Sequence, residues 1–169
     1  WVGGATVGGG AIYIAQDCEV TLHECNFVEC HSDGNGGAVF VCKQKGSNTN
    51  DQQISSNYFL DTQYCCFASC YIYKKGFYGV AMYIASENTN LSFVSTVHCV
   101  AEPQNLAAGA LFDIQASSKI SSSNVNITDG VSKYCAGIEY RHSANGYFKF
   151  QSLSNLEGKF STSFTNLQR

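Results

Sequence analysis

The sequence predicts an all-β chain wound as a parallel β-solenoid. Three observations carry this reading. A glycine–alanine motif recurs along the chain, a second motif sits midway between its copies, and both alternate with period two while no stretch shows an apolar spacing of 3.6. The first motif runs Gly9-Gly10-Ala11-Ile12-Tyr13-Ile14-Ala15. It returns as Gly36-Gly37-Ala38-Val39-Phe40-Val41-Cys42, Gly79-Val80-Ala81-Met82-Tyr83-Ile84-Ala85 and Ala108-Gly109-Ala110-Leu111-Phe112-Asp113-Ile114, and in drifted form as Ala136-Gly137-Ile138-Glu139-Tyr140-Arg141-His142.

With Ala11, Ala38, Ala81, Ala110 and Ile138 taken as equivalent, the spacings are 27, 43, 29 and 28 residues. The long interval contains an insertion, and the polar stretch Lys43 to Asn57 reads as a surface loop. The second motif is Val20-x-Leu22-x-x-Cys25-x-Phe27-x-x-Cys30, matched by Leu60-x-Thr62-x-x-Cys65-x-Phe67-x-x-Cys70. Echoes follow in Ile120-x-Ser122-x-x-Val125-x-Ile127-x-x-Gly130 and Phe148-x-Phe150-x-x-Leu153. A copy near Leu91 to Ala101 fits two registers. Two or three short strands per repeat of about 28 residues, punctuated by Gly, Asn and Ser, suit one rung of a stacked sheet. A leucine-rich repeat of this length needs a dense leucine pattern that no copy has.

The 169 residues suffice for one domain, and the whole chain reads as a single solenoid of five to six rungs with open ends. Trp1 opens it without an initiator Met or signal-type segment, so a piece of a longer chain is expected. Net charge is −3, and the eight lysines and two arginines are scattered, which argues against nucleic acid as a partner. No apolar run approaches the roughly 18 residues of a membrane span, so membrane insertion by this segment is not expected. Hydrophobic residues at 44% exclude disorder.

The repeated strand also suggests which side is buried. Tyr13, Phe40, Tyr83, Phe112 and Tyr140 recur two residues after the alanine position, and stacked about 4.8 Å apart they would form an aromatic ladder inside the core. The intervening Ile12, Ile14, Val39, Val41, Met82, Ile84 and Leu111 would then point outward as an apolar stripe, a candidate interface.

Gly-Gly-Ala-Ile alternating with Phe-x-x-Asn resembles the repeat signature of the bacterial polymorphic outer membrane proteins. Similar repeats occur in surface proteins of some protists. The match rests on Gly9-Gly10-Ala11-Ile12 and Gly36-Gly37-Ala38-Val39, and on Phe27-Val28-Glu29-Cys30 and Phe67-Ala68-Ser69-Cys70, where Cys stands in place of Asn. This resemblance covers about residues 8 to 141. It implies a right-handed parallel β-helix of the pectin-lyase-like class, an architecture that hosts enzymes, adhesins and fibres alike. The hydrolases of that class are similar to one another in paired aspartates, a Gly-His-Gly and an Arg-x-Lys. Here Asp17, Asp33, Asp51, Asp61, Asp113 and Asp129 each stand alone. Asp113 and Glu139 fall on neighbouring rungs, with Arg141 close by as an ion-pair partner.

His23-x-Cys25, Cys30-His31 and His98-Cys99 invite a zinc reading, but side chains that alternate along a strand do not converge on one ion. Gly34 to Gly37 reads as a turn, since no helix follows to present a phosphate site. No metal or cofactor is expected. Nine cysteines and the sequons at Asn90 and Asn126 favour an oxidising, extracellular or cell-surface setting. Cys25 aligns with Cys65 and Cys30 with Cys70, either as disulfides or as a ladder of free thiols. The expected role is a non-enzymatic structural or adhesive module that meets other chains or its own copies through strand edges and the apolar stripe, with glycans as a further expected contact. A carbohydrate-active enzyme is the alternative. It would be marked by acidic and aromatic side chains lining one groove over three rungs.

Overall fold

The structure is a computed structural model, and it describes residues 4–5, 8–14, 18–41, 43–44, 52–53, 59–73, 77–101, 112–129, 131–132, 138–141, 145–154 and 157–158. It is all-β, with parallel sheets that join each repeat copy to the next. Four strand positions recur. The glycine–alanine motif forms Ile12–Ile14, Val39–Val41, the start of Met82–Ser92, the start of Phe112–Thr128, and Ile138–Arg141, paired in that order. The second motif supplies Glu19–His23, Phe59–Gln63 and their continuations, then Asn26–Val28, Cys66–Ala68 and Ser95–Val97. Two-residue strands complete each copy, from Gly4–Ala5 through His31–Ser32 and Tyr71–Ile72 to Glu157–Gly158.

The chain is re-aimed between strands at positions of positive φ, and these stack in columns. Glu24, Tyr64, Phe93 and Asn124 form one, and Glu29, Ser69, His98 and Asp129 another, all with φ between 51° and 54°. The backbone N–H groups of the first three residues in each column donate to the following copy, as in Glu29 to the Ala68 carbonyl at 2.9 Å and Ser69 to Val97 at 3.0 Å. These bonds hold non-glycine residues in a conformation that costs about 1 kcal/mol each.

The third bend uses glycine, at Gly9, Gly36 and Gly79. Gly37, which follows Gly36, is needed for a different reason: a Cβ there would lie 2.1 Å from the Val80 carbonyl oxygen of the next copy. In the first two copies the first glycine thus supplies the turn and the second the close approach. Counting back three residues from Ile12, Val39 and Met82 reaches these turn glycines, and counting back from Phe112 reaches Gly109.

That count explains a correction in register. Met82 pairs with Phe112 and Tyr83 with Asp113, one residue off the alignment on alanine. Phe112 therefore occupies the Met82 column and Tyr140 the Ile84–Ile114 column, so neither continues the Tyr13–Phe40–Tyr83 column, which runs on into Asp113 and Glu139. In the last copy Ser122 pairs with Phe148 and Ile127 with Leu153, two residues from the sequence-based match. The ambiguous third copy resolves as Thr89, Leu91, Val94, Thr96 and Cys99.

The second correction concerns the faces. Val39, Val41, Met82 and Ile84 lie at 0–1% exposure within the main core, together with Leu60, Phe67, Ile72 and Leu91. Ile12 and Ile14 pack against that core half-buried, and Leu111 lies outside the described residues. The stripe expected outside is therefore inside. Tyr13, Phe40 and Tyr83 do stack, with centroids 5.0 and 5.5 Å apart, but on the opposite side of the strand. Tyr13 is 42% exposed, while Phe40 and Tyr83 are buried in a separate cluster with Ala85, against which Tyr78 packs. The core already holds its own aromatic pair, Phe27 on Phe67 at 4.8 Å. A tyrosine ladder facing inward would overfill this core and strand its hydroxyls.

The insertion after Val41 is not wholly irregular: Lys43–Gln44 and Gln52–Gln53 pair antiparallel, and the rest of Lys43 to Asn57 lies outside the described residues. At the glycine-rich turn, Ser32 Oγ donates to the Gly34 carbonyl at 2.7 Å, and Asn35 Oδ1 accepts from the Tyr78 N–H at 2.7 Å.

Candidate functional site

The cysteines follow directly from the bends. Cys25 and Cys65 follow one positive-φ column, and Cys30, Cys70 and Cys99 the other. All five are reduced, outside any disulfide. In-register parallel strands point stacked side chains the same way, which does not suit the torsion near 90° that a disulfide requires. Each thiol instead faces carbonyls at its bend. Cys65 Sγ donates to Gln63 at 3.2 Å and to Leu22 of the preceding copy at 3.5 Å, and Cys99 Sγ to Phe67 at 3.5 Å. A small, buried, weak donor thus does here what a longer polar side chain would do.

Burial pushes the Cys65 thiol up from about 9 to about 11. At Cys70 the Cys30 thiol pulls the value down, but contact with Cys99 and burial outweigh it and the net shift is upward. Thiolate formation is disfavoured at Cys65 and Cys70. Because the fold favours protonated Cys65, its contribution to stability is complete below pH 9 and is lost as pH rises through about 11. Val94 and Val125 occupy the same column in later copies. Cys65→Val is therefore expected to leave the urea midpoint nearly unchanged at pH 7 and to reduce its fall between pH 9 and 11. A thiol reagent should modify half-exposed Cys18, Cys25 and Cys66 in the native chain before buried Cys30, Cys65, Cys70 and Cys99.

Residues adjoining the buried cysteines build the most developed outer feature. Cys30 and Cys99 enter the core while their neighbours His31 and His98 lie on the surface, so the pairs singled out for zinc are split between two faces. His23 is likewise exposed, packed edge-on to Tyr64, which stacks on Phe93 at 4.9 Å. His31 stacks on Tyr71 at 4.9 Å and 13°, and Tyr73 meets both rings edge-on at 5.2 and 4.8 Å. The Tyr73 hydroxyl donates to that of Tyr71 at 2.9 Å.

Beside these rings runs an open groove of about 480 Å³ lined by Glu29, Ser69, Cys70, Tyr71, Tyr73, His98 and Val100. His98 Nδ1 lies 3.5 Å from Asp129 Oδ2, which brings the fourth copy to the groove's border. Sequence reading did not assemble this groove, although the alignment of Cys30 with Cys70 already placed His31 opposite Tyr71.

Two carboxylates border the groove. Glu29 and Asp129 stand in one column, separated by Ser69 and His98, hence by three inter-strand steps or about 14 Å. Glycosidic hydrolysis needs carboxylates no more than roughly 9.5 Å apart. That limit concerns the carboxyl groups, whereas the roughly 14 Å separates the two backbones; the groove itself offers stacked rings and hydrogen-bonding side chains to a ligand. Elsewhere Asp113 pairs directly with Glu139, and Gln115 with Arg141.

Of the two sequons, Asn126 is exposed and accepts from Thr128 Oγ1 at 3.5 Å. Asn90 is half-buried, and its Nδ2 donates to Asp61 Oδ1 at 2.7 Å. No protein-family model, curated protein or solved structure matches the chain.

Proposed function

We propose that the chain is a right-handed parallel β-helical module of five to six rungs that acts without catalysis at a cell surface or outside the cell, giving a rigid contact face to adhesive or structural assemblies. The observation that carries this reading is the stacking of outer side chains over successive copies: His31 on Tyr71 beside Tyr73, with Glu29 and the His98–Asp129 pair along the same groove. Such rings offer flat faces to sugar C–H groups, and the flanking carboxylate, imidazole and serine offer hydrogen bonds. An extended polysaccharide fits a groove that runs from copy to copy.

The enzyme reading draws on that groove too, since acidic and aromatic side chains line it over three copies. The roughly 14 Å between the Glu29 and Asp129 backbones weighs against it. A panel of immobilised acidic and neutral polysaccharides separates the two readings. The module is expected to bind at least one member, and Tyr71→Ala with Tyr73→Ala to weaken that binding at least tenfold with the fold intact. No reducing ends or unsaturated products should form. Turnover abolished by Glu29→Gln would establish the enzyme instead.

A further inference from the structure

Two outward columns border the groove. Glu29, Ser69, His98 and Asp129 stand in one, each held by its bend at φ 51° to 52°. His31, Tyr71 and Val100 stand in the other, two residues further along their copies and paired in that order. The His31 and Tyr71 rings lie 4.9 Å apart at 13°. That separation is the spacing of the strands that carry them, so the ring faces look along the stacking direction. At the third step Val100 stands where the two preceding copies place a ring. The groove of about 480 Å³ is lined by both Tyr71 and Val100, and its size falls within the roughly 300–1,000 Å³ of small-ligand sites.

Polar groups surround this third step. Ser69 and His98 line the groove from the neighbouring column, and Tyr73 meets Tyr71 edge-on with the two hydroxyls 2.9 Å apart. Asp129 Oδ2 lies 3.5 Å from His98 Nδ1, which leaves Nε2 as the ring nitrogen turned away from that carboxylate. Among the described lining residues, Glu29 is the one with a fixed charge at neutral pH, and that charge is negative.

We propose that the groove takes the terminal neutral hexose of a glycan at the third step, seated on Tyr71 and against Val100 in the place of a third ring. This deepens the module reading and rests on it. The C–H face of the sugar extends the His31–Tyr71 stack by one strand spacing, and Val100 meets its inner edge. The hydroxyls around the sugar are left to the serine, the imidazole and the phenol beside it. A unit seated in one layer has the sheet behind it, so the rest of the glycan leaves only outward. That restricts the place to a chain end. A uronate would bring a second carboxylate beside Glu29, and the groove selects against it.

Soluble oligomers of glucose, mannose, galactose and galacturonate are the probes, with binding followed by calorimetry and by nuclear Overhauser contacts to the bound sugar. At least one neutral oligomer should bind, its terminal unit in contact with the Tyr71 ring and the Val100 methyls. Its simple methyl glycoside should compete for the same place. Galacturonate should bind roughly tenfold more weakly than the best neutral oligomer. Val100→Tyr should complete the ring column, weaken binding by roughly tenfold or more, and leave the urea midpoint unchanged or raised. Binding without the Tyr71 and Val100 contacts overturns the inference and leaves the module reading standing. So does binding unaltered in a folded Val100→Tyr chain, or tighter binding of galacturonate. Capture of N-acetyltyrosinamide in preference to every sugar also overturns it, and makes a protein side chain the occupant. Failure of every glycan to bind overturns it together with the glycan-contacting reading of the groove.

Discussion

Replacing Val41 and Ile84 together by lysine is expected to unfold the chain. The two residues are paired across adjacent copies and lie at 1% and 0% exposure in the main core. Each substitution forfeits about 2 kcal/mol of apolar burial and brings an ammonium into a site with no partner for it. The two charges would also stand about 4.8 Å apart. Together these costs match or exceed the roughly 5–15 kcal/mol that holds a domain of this kind folded. Circular dichroism should lose its strand signal without denaturant. A folded double variant would mean that the aliphatic stripe faces outward after all and that the Tyr13–Phe40–Tyr83 column is the interior one. Lysine at Tyr13, 42% exposed, should by contrast cost less than about 1 kcal/mol.

Gly36→Ala should be among the most damaging single-methyl changes at the described residues. At φ +71° an alanine is strained, and its Cβ would lie 2.2 Å from the Val39 carbonyl oxygen, a backbone atom that moves only with its strand. That strand is held between Ile12–Ile14 and Met82–Ser92, so the shift would propagate to both neighbours. A loss of about 3 kcal/mol or more is expected in urea unfolding. Ser69→Gly should have the opposite sign. Ser69 occupies a left-handed position at φ 52°, and glycine there relieves about 1 kcal/mol of strain, partly offset by the added freedom of the unfolded chain. Equal effects at the two sites would show that the bends are not held as described.

The contrast between these sites shows what the sequence could convey. The repeat, the short strands and the pairing of Val20 to Cys30 with Leu60 to Cys70 were legible because bends and buried positions recur at fixed intervals. Which face is buried was not, since Ile12-Tyr13-Ile14 and Val39-Phe40-Val41 are apolar on both sides and alternation alone carries no sign. Volume decided it, because Phe27 and Phe67 already fill the interior.

Register in the fourth copy was misread for a related reason. Ala110 resembles Ala81, but the turn depends on the first glycine of the motif, and Val80 already shows that the second can be replaced. The groove eluded sequence reading because Glu29, Tyr71 and His98 lie in three different copies and share no local motif. They meet only once the registers are known.

Successive copies stack in parallel, and nuclear Overhauser contacts along one column would report that stacking residue by residue. Backbone contacts should link Asn26 to Cys66, Cys66 to Ser95 and Ser95 to Asn126, with the parallel pattern of amide-to-α-proton contacts. Close α-proton pairs of antiparallel type across these residues, or long-range contacts confined to neighbouring hairpins, would contradict it.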